Sequence, residues 1–271
     1  MSLRLCVLGS SSAGNAVYVG SERTALLIDA GLAARTTATR LAEIGVPVER
    51  LAGICVSHEH ADHTAGLRVL HRRHGVPLYA NAATIEMIER DPRRRELAWQ
   101  VFTTGAPFTV GDLRVEPFAV PHDAGDPVGF VVSDGRVEVG IATDMGMPTT
   151  LVRAKLRRCR AVVIESNHDA GMLQRSARPW SLKQRILGRQ GHLSNERSLE
   201  LLLDIAGPQL AQVFLAHLSR ECNDEVACLA DARRALAEAG FGHVRVDLTY
   251  PGRVGLVWTA EAAAPAAADP G

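Results

Sequence analysis

The segment Ser57-His58-Glu59-His60-Ala61-Asp62-His63-Thr64 follows directly on an apolar run, Leu51–Val56. It places four side chains of metal-ligating type within six residues. Extended backbone sends residues two apart to the same side, so His58 and His60 can converge on one ion. Imidazole and carboxylate groups together suit zinc, and also manganese or iron. The segment therefore predicts a metal site at the end of a buried strand, which is where α/β folds place active sites.

The chain is expected to turn into a helix over Thr64–His74, with Gly75 as its C-terminal stop. This bend can redirect Asp62 and His63 toward a second ion beside the first. Four potential ligands so close together are rare without a metal or a catalytic task, so a solvated polar turn is the weaker interpretation.

The composition is that of an ordinary globular protein, with 46% hydrophobic and 22% charged residues and a formal net charge of zero. No global field draws the chain to nucleic acid or to a membrane, so binding of a polyanion requires a local patch. No apolar stretch is long enough to span a bilayer. The N-terminus predicts a strand and not a signal peptide, and the five cysteines are expected as buried free thiols. These features predict a cytoplasmic protein.

Strand-like and helix-like segments alternate along the chain and indicate a layered α/β fold. Asn195 is expected to cap a helix over Glu196–Ile205. Val244–Leu248 and Val254–Thr259 are expected to form a closing pair of strands. The Ala/Pro-rich segment 260–271 predicts a disordered tail after a folded domain at 1–259.

The ligand segment resembles the motif of the metallo-β-lactamase superfamily, and the later landmarks of that superfamily follow in order. Asp29 is similar to the early aspartate that supports the ligand loop. The resemblance implies an αββα sandwich, two mixed sheets packed between helices, with two divalent metal ions. It implies one ion held by three histidines and a second held by Asp62 and two further histidines, with Asp144 bridging the two. The ligand histidines are His58, His60 and His122 for the first ion, and His63 and His217 for the second.

Within the superfamily the chain resembles the compact YycJ/WalJ-like subgroup. Asp144 stands where antibiotic-degrading enzymes typically have a cysteine, which argues against that activity. About seventy residues separate Asp144 from His217, too few for the extra domain of the β-CASP nucleases. No protruding arm like that of tRNA 3′-processing enzymes is evident. The matching blocks are Ser10–Asn15, Ser57–His63, Pro121–Gly129, Glu165–Asp169, Gly191–Glu196 and His217–Asn223. The subgroup is associated with DNA exonuclease activity, so the resemblance implies a nucleic acid or small phosphodiester substrate.

Two divalent ions about 3.5–4 Å apart can share and activate a hydroxide, which is the expected nucleophile of such a site. Asp62 is expected to ligate and to orient it. His192 resembles the catalytic histidine of the tRNA-processing relatives and is the candidate general acid, with Glu165 fixing its tautomer. His168 is an alternative for either role. His192 as a mere lead-in to the next helix remains a second interpretation.

The segment Gln174–Gln190 is basic, has no acidic residue, and contains Trp180. Arginine binds phosphate bidentately and tryptophan offers a stacking face, so this basic strip is a candidate nucleic-acid surface. A solvated helix with Trp180 and Leu182 packed inward is an equal alternative. The candidate substrate-binding residues are Ser12, Asn15, Arg175, Arg178, Lys183, Arg185, Ser194 and Asn195.

Three hypotheses follow for the function. The first is a metal-dependent phosphodiesterase or nuclease. The second is a thioester or lactone hydrolase on the same two-metal site, which needs neither the arginines nor His192. The third is a non-enzymatic metal-binding regulatory protein, which the apparently complete ligand set disfavours. The sequence leaves the native metal, the choice of DNA or RNA, the polarity of digestion and the oligomeric state open.

Overall fold

Short apolar strands form two seven-stranded sheets in the computed structural model, which describes Ser2–Ala260. Most of these strands are buried along their length. They are β1 (Arg4–Gly9), β2 (Ala16–Gly20), β3 (Ala25–Ile28), β4 (Leu51–Cys55), β5 (Leu78–Ala80), β6 (Trp99–Val101), β7 (Phe108–Val110), β8 (Leu113–Ala119), β9 (Val128–Ser133), β10 (Glu138–Ala142), β11 (Ala161–Glu165), β12 (Gln212–Ala216), β13 (Arg245–Leu248) and β14 (Trp258–Thr259).

The two sheets have the same pattern of pairing. The first has the order β14-β1-β2-β3-β4-β5-β6 and the second the order β7-β8-β9-β10-β11-β12-β13. In each order the first three pairings are antiparallel and the last three are parallel. Both sheets are therefore mixed, and each brings the carboxyl ends of four neighbouring strands to one edge.

The core has three layers because alternate strand residues face opposite ways. Leu5 and Val7 of β1 pack in a cluster that also contains Phe130 and Phe214 from the second sheet. Cys6, the residue between them, packs on the other face among helix residues. A third cluster joins the outer face of the second sheet to its own helices. This arrangement confirms the predicted αββα sandwich of two mixed sheets between helices.

Nine α-helices occur in the described part of the chain, and most of them pack on the outer faces of the sheets. They are α1 (Ala34–Glu43), α2 (Ala61–Thr64), α3 (Leu67–His74), α4 (Ala82–Glu89), α5 (Thr150–Leu156), α6 (Ala170–Arg175), α7 (Trp180–Leu187), α8 (Asn195–Ile205) and α9 (Glu225–Glu238). Of the helices in Ser2–Ala260, none combines the length and the apolar composition needed to cross a bilayer. All five cysteines are buried and unpaired, as expected.

Two local expectations were wrong. The helix expected over Thr64–His74 begins only at Leu67, as α3, because the Gly66 N–H donates to the Ala30 carbonyl in the loop after β3 and not to a preceding helical turn. The cap of α8 is Ser194, whose side chain accepts from the Arg197 N–H, and not Asn195.

The expected closing pair of strands was also wrong, because β13 and β14 lie in different sheets. β14 pairs instead with the first strand, with Arg4 opposite Thr259. Ala260, which we assigned to the tail, is buried and its backbone N–H donates to Leu3. The rest of the expected tail, 261–271, lies outside the described residues.

Candidate metal centre

Three functional residues stand in the left-handed backbone region, each just after the carboxyl end of a strand. Asp29 (φ 62°), Asp144 (φ 55°) and His217 (φ 58°) are the residues other than glycine with positive φ in Ser2–Ala260. This conformation is uncommon for residues with a Cβ, and such residues cluster at functional sites. The backbone turns sharply at these points and aims the side chains across the strand ends.

The first group of ligands consists of three histidines whose ring nitrogens meet at one point. Nε2 of His58 lies 3.1 Å from Nδ1 of His60, and Nε2 of His122 lies 3.2 Å from the same atom. The other nitrogen of His122 lies 3.2 Å from the Gly191 carbonyl oxygen. A hydrogen on that nitrogen donates to the carbonyl and leaves a lone pair on Nε2 facing the group. This geometry fits a cation held by three imidazoles.

The second group brings together two carboxylates and two histidines. Nε2 of His63 lies 2.9 Å from Asp144 Oδ2 and 3.7 Å from Asp62 Oδ2. Nε2 of His217 also lies 3.7 Å from Asp62 Oδ2, and it is buried without a hydrogen-bond partner. A buried ring nitrogen without a partner is unfavourable unless something else occupies its lone pair. The orphaned nitrogen and the converging oxygens fit a second cation here.

The pKa values of the histidines in the two groups are shifted in opposite directions. Burial lowers the pKa of His58 and of His122, which keeps both imidazoles neutral. Burial acts the same way on His63, but the carboxylates of Asp29 and Asp144 outweigh it and raise the pKa of His63 well above its usual value. His63 and His217 in turn hold the pKa of Asp144 well below its usual range, despite its burial. The Asp144 carboxylate is therefore ionised. Its negative charge is balanced by protons on the neighbouring histidines or by a bound metal ion.

Asp29 supports the ligand loop, as the resemblance implied. Its Oδ1 accepts from the backbone N–H of Ser57, and its Oδ2 accepts from the Ser57 hydroxyl and lies 2.8 Å from His63 Nδ1. The Ser57 hydroxyl also lies 2.9 Å from His58 Nδ1. Ser57 thus helps orient a candidate ligand in each of the two groups. It escaped the sequence analysis because a single serine before the motif carries no distinctive signal.

Two further residues hold the loop from the side of the first hairpin. Asn15, predicted as a substrate-binding residue, is buried, and its amide nitrogen lies 3.3 Å from Asp62 Oδ2 and 3.0 Å from His63 Nε2. It therefore sits among the ligands of the second ion. Gly31 was not predicted, yet a Cβ at this position would stand 1.6 Å from the Asp62 carbonyl oxygen. Only glycine allows the two backbones to approach so closely.

Glu165 connects the candidate general acid to the metal ligands. It is fully buried, and its Oε1 lies 2.7 Å from His192 Nδ1 and 3.0 Å from His217 Nδ1. The burial of His192 lowers its pKa, but Glu165 and Asp144 outweigh this effect and raise it overall. His168 is buried, its Nε2 has no hydrogen-bond partner, and burial lowers its pKa to about 4. Of the two histidines, His192 is the one that contacts the ligand set.

The other predicted substrate-binding residues are dispersed. Ser12 is exposed beside Asn15. Ser194 caps α8, and the Asn195 amide bonds to the side chains of Ser166 and Asn223, so both have structural contacts.

The basic strip is divided between helices α6 and α7. Arg175 is exposed, while Arg178 pairs with Glu221 and Arg185 pairs with Asp123. Lys183 is buried, and its amine donates to the carbonyls of Gln174 and Ser176. It therefore does not belong to an exposed strip. Trp180, in contrast, is 65% exposed. The alternative helix with both Trp180 and Leu182 packed inward was wrong for Trp180, whereas Leu182 is partly buried and packs against Leu173, Ile186 and Cys222.

A mixed α/β sandwich with clustered His and Asp ligands at the strand ends defines a metal-dependent hydrolase of the metallo-β-lactamase type. The sequence matches the family described as β-lactamase superfamily domain over residues 24–217. The chain belongs to this family and is a hydrolase.

Two curated relatives and one solved structure are similar to this chain over most of its length. It is 35% identical to exodeoxyribonuclease YycJ of Bacillus anthracis, across 89% of this chain and 92% of the relative. It is 34% identical to exodeoxyribonuclease WalJ of Streptococcus pneumoniae serotype 2, across 89% of this chain and 90% of the relative. The metallo-β-lactamase fold protein YhfI from Bacillus subtilis superposes with a TM-score of 0.72 at 16% identity, covering 96% of this chain and 100% of YhfI. The likeness to YhfI shows the fold alone.

Proposed function

We propose that this protein is a two-metal phosphodiesterase that digests nucleic acid, with DNA as the substrate and cleavage from an end. The similarity to relatives named exodeoxyribonuclease supports DNA and terminal cleavage. The observation that carries the proposal is an open groove next to the candidate ligand His122.

The two groups of ligands fit two divalent cations, each with nitrogen and oxygen donors. His58, His60 and His122 would hold one ion, while Asp62, His63 and His217 would hold the other, with Asp144 between them. Zinc suits this donor set best, and manganese and iron are alternatives. When bound, such a pair supplies a reactive hydroxide and polarises a phosphodiester oxygen.

The residues around the ligands supply proton transfer. Glu165 accepts a hydrogen bond from Nδ1 of His192 and thereby leaves Nε2 as the exchangeable site of this ring. The His192 side chain is partly exposed, whereas the Glu165 side chain is completely buried. His192 can therefore meet a substrate while Glu165 holds it, which suits a general acid that protonates the leaving oxygen. Asp62 remains the residue that orients the nucleophile in this proposal.

The groove has a volume of about 520 Å³ and is lined by Asp123, Gln184, Arg185, Gly188, Arg189 and Gln190. Asp123 directly follows the ligand His122, and Gln190 precedes the glycine whose carbonyl oxygen contacts that histidine. Trp180 lies one helical turn before Gln184 and is solvent-exposed. An open groove lined by two arginines, with an exposed indole on the same helix, suits a polymeric strand better than a small ester.

The test is digestion by the metal-loaded protein of DNA labelled at one end, single- and double-stranded, with matched RNA, a thioester and a lactone in parallel. We expect mononucleotides or short products to accumulate from one end of DNA, and Asp62→Ala to abolish this activity. Turnover of the thioester or lactone without cleavage of any phosphodiester would support the second hypothesis. Absence of all turnover by a fully metallated sample would support the regulatory hypothesis.

A further inference from the structure

A second cavity lies next to the metal centre, between α8 and α9. Its volume is about 130 Å³. Since one water needs roughly 10–15 Å³, the cavity has room for several water molecules or a small ligand. None of the predicted metal ligands lines it. Its inner wall consists of Ser166, Ser198, Leu199, Leu202, Cys228 and Ala232. The cavity is therefore apolar along one side and carries a few small polar groups, as ligand pockets do.

The mouth of this cavity is acidic. Four carboxylates belong to the lining, Asp169, Glu196, Asp224 and Asp231. Among the described residues that line the cavity there is no lysine or arginine. Asp231 pairs with Arg234 on the outer side of α9. Asp169 and Asp224 also accept hydrogen bonds from backbone N–H groups at the starts of α6 and α9. Glu196 and the remaining carboxylate oxygens have no positive side chain among the lining residues, so this mouth favours a cation.

A buried hydroxyl on the wall has no partner in the protein. Ser198 is 2% exposed, and its Oγ makes no hydrogen bond. The neighbouring hydroxyl of Ser166, in contrast, donates to Asn195 Oδ1. Buried polar atoms are nearly always hydrogen-bonded, so an unpaired hydroxyl on a cavity wall requires a polar partner that enters the cavity. This observation is independent of the carboxylates.

The wall of the cavity is continuous with the supports of the metal centre. Ser166 directly follows Glu165 in the chain. The amide of Asn223 donates to the carbonyls of Ser166 and Asn167, and the amide of Asn167 donates to the carbonyl of His217. Ser166 therefore connects the cavity wall to the backbone that holds His217 and Glu165.

We propose that this cavity binds a small aliphatic ammonium compound with a second hydrogen-bonding group at its far end. The ammonium lies among the carboxylates of the mouth. The short carbon chain packs between Leu199, Leu202 and Ala232. The far polar group bonds to the hydroxyl of Ser198. This proposal does not depend on the identity of the hydrolysed substrate.

The test uses 4-aminobutan-1-ol, titrated by calorimetry into the metal-loaded full-length protein without nucleic acid. We expect saturable binding of one molecule per chain. Ser198→Ala and the double variant Glu196→Gln/Asp231→Asn should each weaken it about fivefold to tenfold. Glu43→Gln, an exposed carboxylate on α1, is the matched control and should bind as the parent does.

1-Butanol has the same chain and polar end without the charge, and it should not saturate the site at the same concentrations. Ala232→Leu fills the cavity and should abolish binding, and thermal unfolding confirms that the variant is folded. No saturable heat with the parent protein, unchanged affinity in the double variant, or equal binding of 1-butanol would each overturn the proposal.

Discussion

Oε1 of Glu165 lies 2.7 Å from Nδ1 of His192, and the glutamate is wholly buried while the histidine reaches the surface. The same oxygen lies 3.0 Å from Nδ1 of the ligand His217. One carboxylate thus orients both a candidate acid and a candidate metal ligand. This arrangement explains how a fully buried charge is tolerated, since two imidazoles share it.

Glu165→Gln should lower kcat for DNA by roughly 10–100-fold, because a neutral amide no longer fixes the tautomer or stabilises the cationic form of His192. The variant keeps the size of the side chain, so KM should change little. Steady-state kinetics across pH is the measurement, together with metal content. If Glu165 positions His192, the pH profile of kcat should shift in the variant. A loss of activity explained entirely by a lower metal content would contradict this role.

His192→Ala should have an effect that depends on the leaving group. With DNA, whose leaving oxygen needs a proton, we expect a loss of roughly 10²–10⁴-fold. With bis(p-nitrophenyl) phosphate the loss should be much smaller, because p-nitrophenolate leaves without protonation. His168→Ala is the comparison variant and should show no such difference. Equal losses of His192→Ala on the two substrates would argue against a general acid at this position.

Removal of one ligand from each group should release one metal ion. We expect elemental analysis to give two divalent ions per chain for the parent protein. His122→Ala and His217→Ala should each retain about one after dialysis, because each removes a protein donor from a single ion. His243→Ala replaces an exposed histidine far from the ligands in the chain and should retain both. Full retention in both ligand variants would contradict the assignment.

Trp180→Ala should weaken the binding of single-stranded DNA by roughly 1–3 kcal/mol, the range for loss of one base-stacking contact. Because the indole is exposed, its removal leaves the packed core of the protein intact. Affinity is measured by fluorescence anisotropy in an Asp62→Ala background, which leaves the DNA intact. Trp180→Phe retains an aromatic face and should recover most of the affinity. Identical affinities for the three proteins would remove Trp180 from the substrate path.

Glu116 should contribute to stability in a way that depends on pH. It is buried, and Lys155 and Arg158 outweigh that burial and lower its pKa from 4.5 to about 2. A depressed carboxyl pKa stabilises the fold above the unfolded value, and the contribution is lost as pH falls from about 4.5 to about 2. At pH 7, Glu116→Gln should therefore cost roughly 1–3 kcal/mol in urea unfolding. The difference between parent and variant should shrink below pH 4.5, and a constant difference would contradict the assignment.

The ligand segment around His58 was readable because its signal is local. Four potential ligands, three histidines and one aspartate, lie within six residues and follow an apolar run. This pattern can be recognised without knowing how distant segments of the chain fold. The same holds for most strands, since alternation and apolar runs depend on near neighbours. The exceptions were positions where a distant segment intervened, such as Gly66, whose hydrogen bond to the loop after β3 delays the start of the expected helix to Leu67.

The amino-acid sequence by itself determined the class of fold, the clustered ligands and the chemistry that such donors permit. The order of the strands decided the rest. Parallel pairing places Ile141 opposite Val163 and Ile164 opposite Leu215, so Asp144, Glu165 and His217 emerge side by side at one edge. The tertiary structure likewise buried Lys183 and exposed Trp180. Such outcomes depend on contacts between segments far apart in the chain, and the local patterns that predict helices and strands carry no record of those contacts.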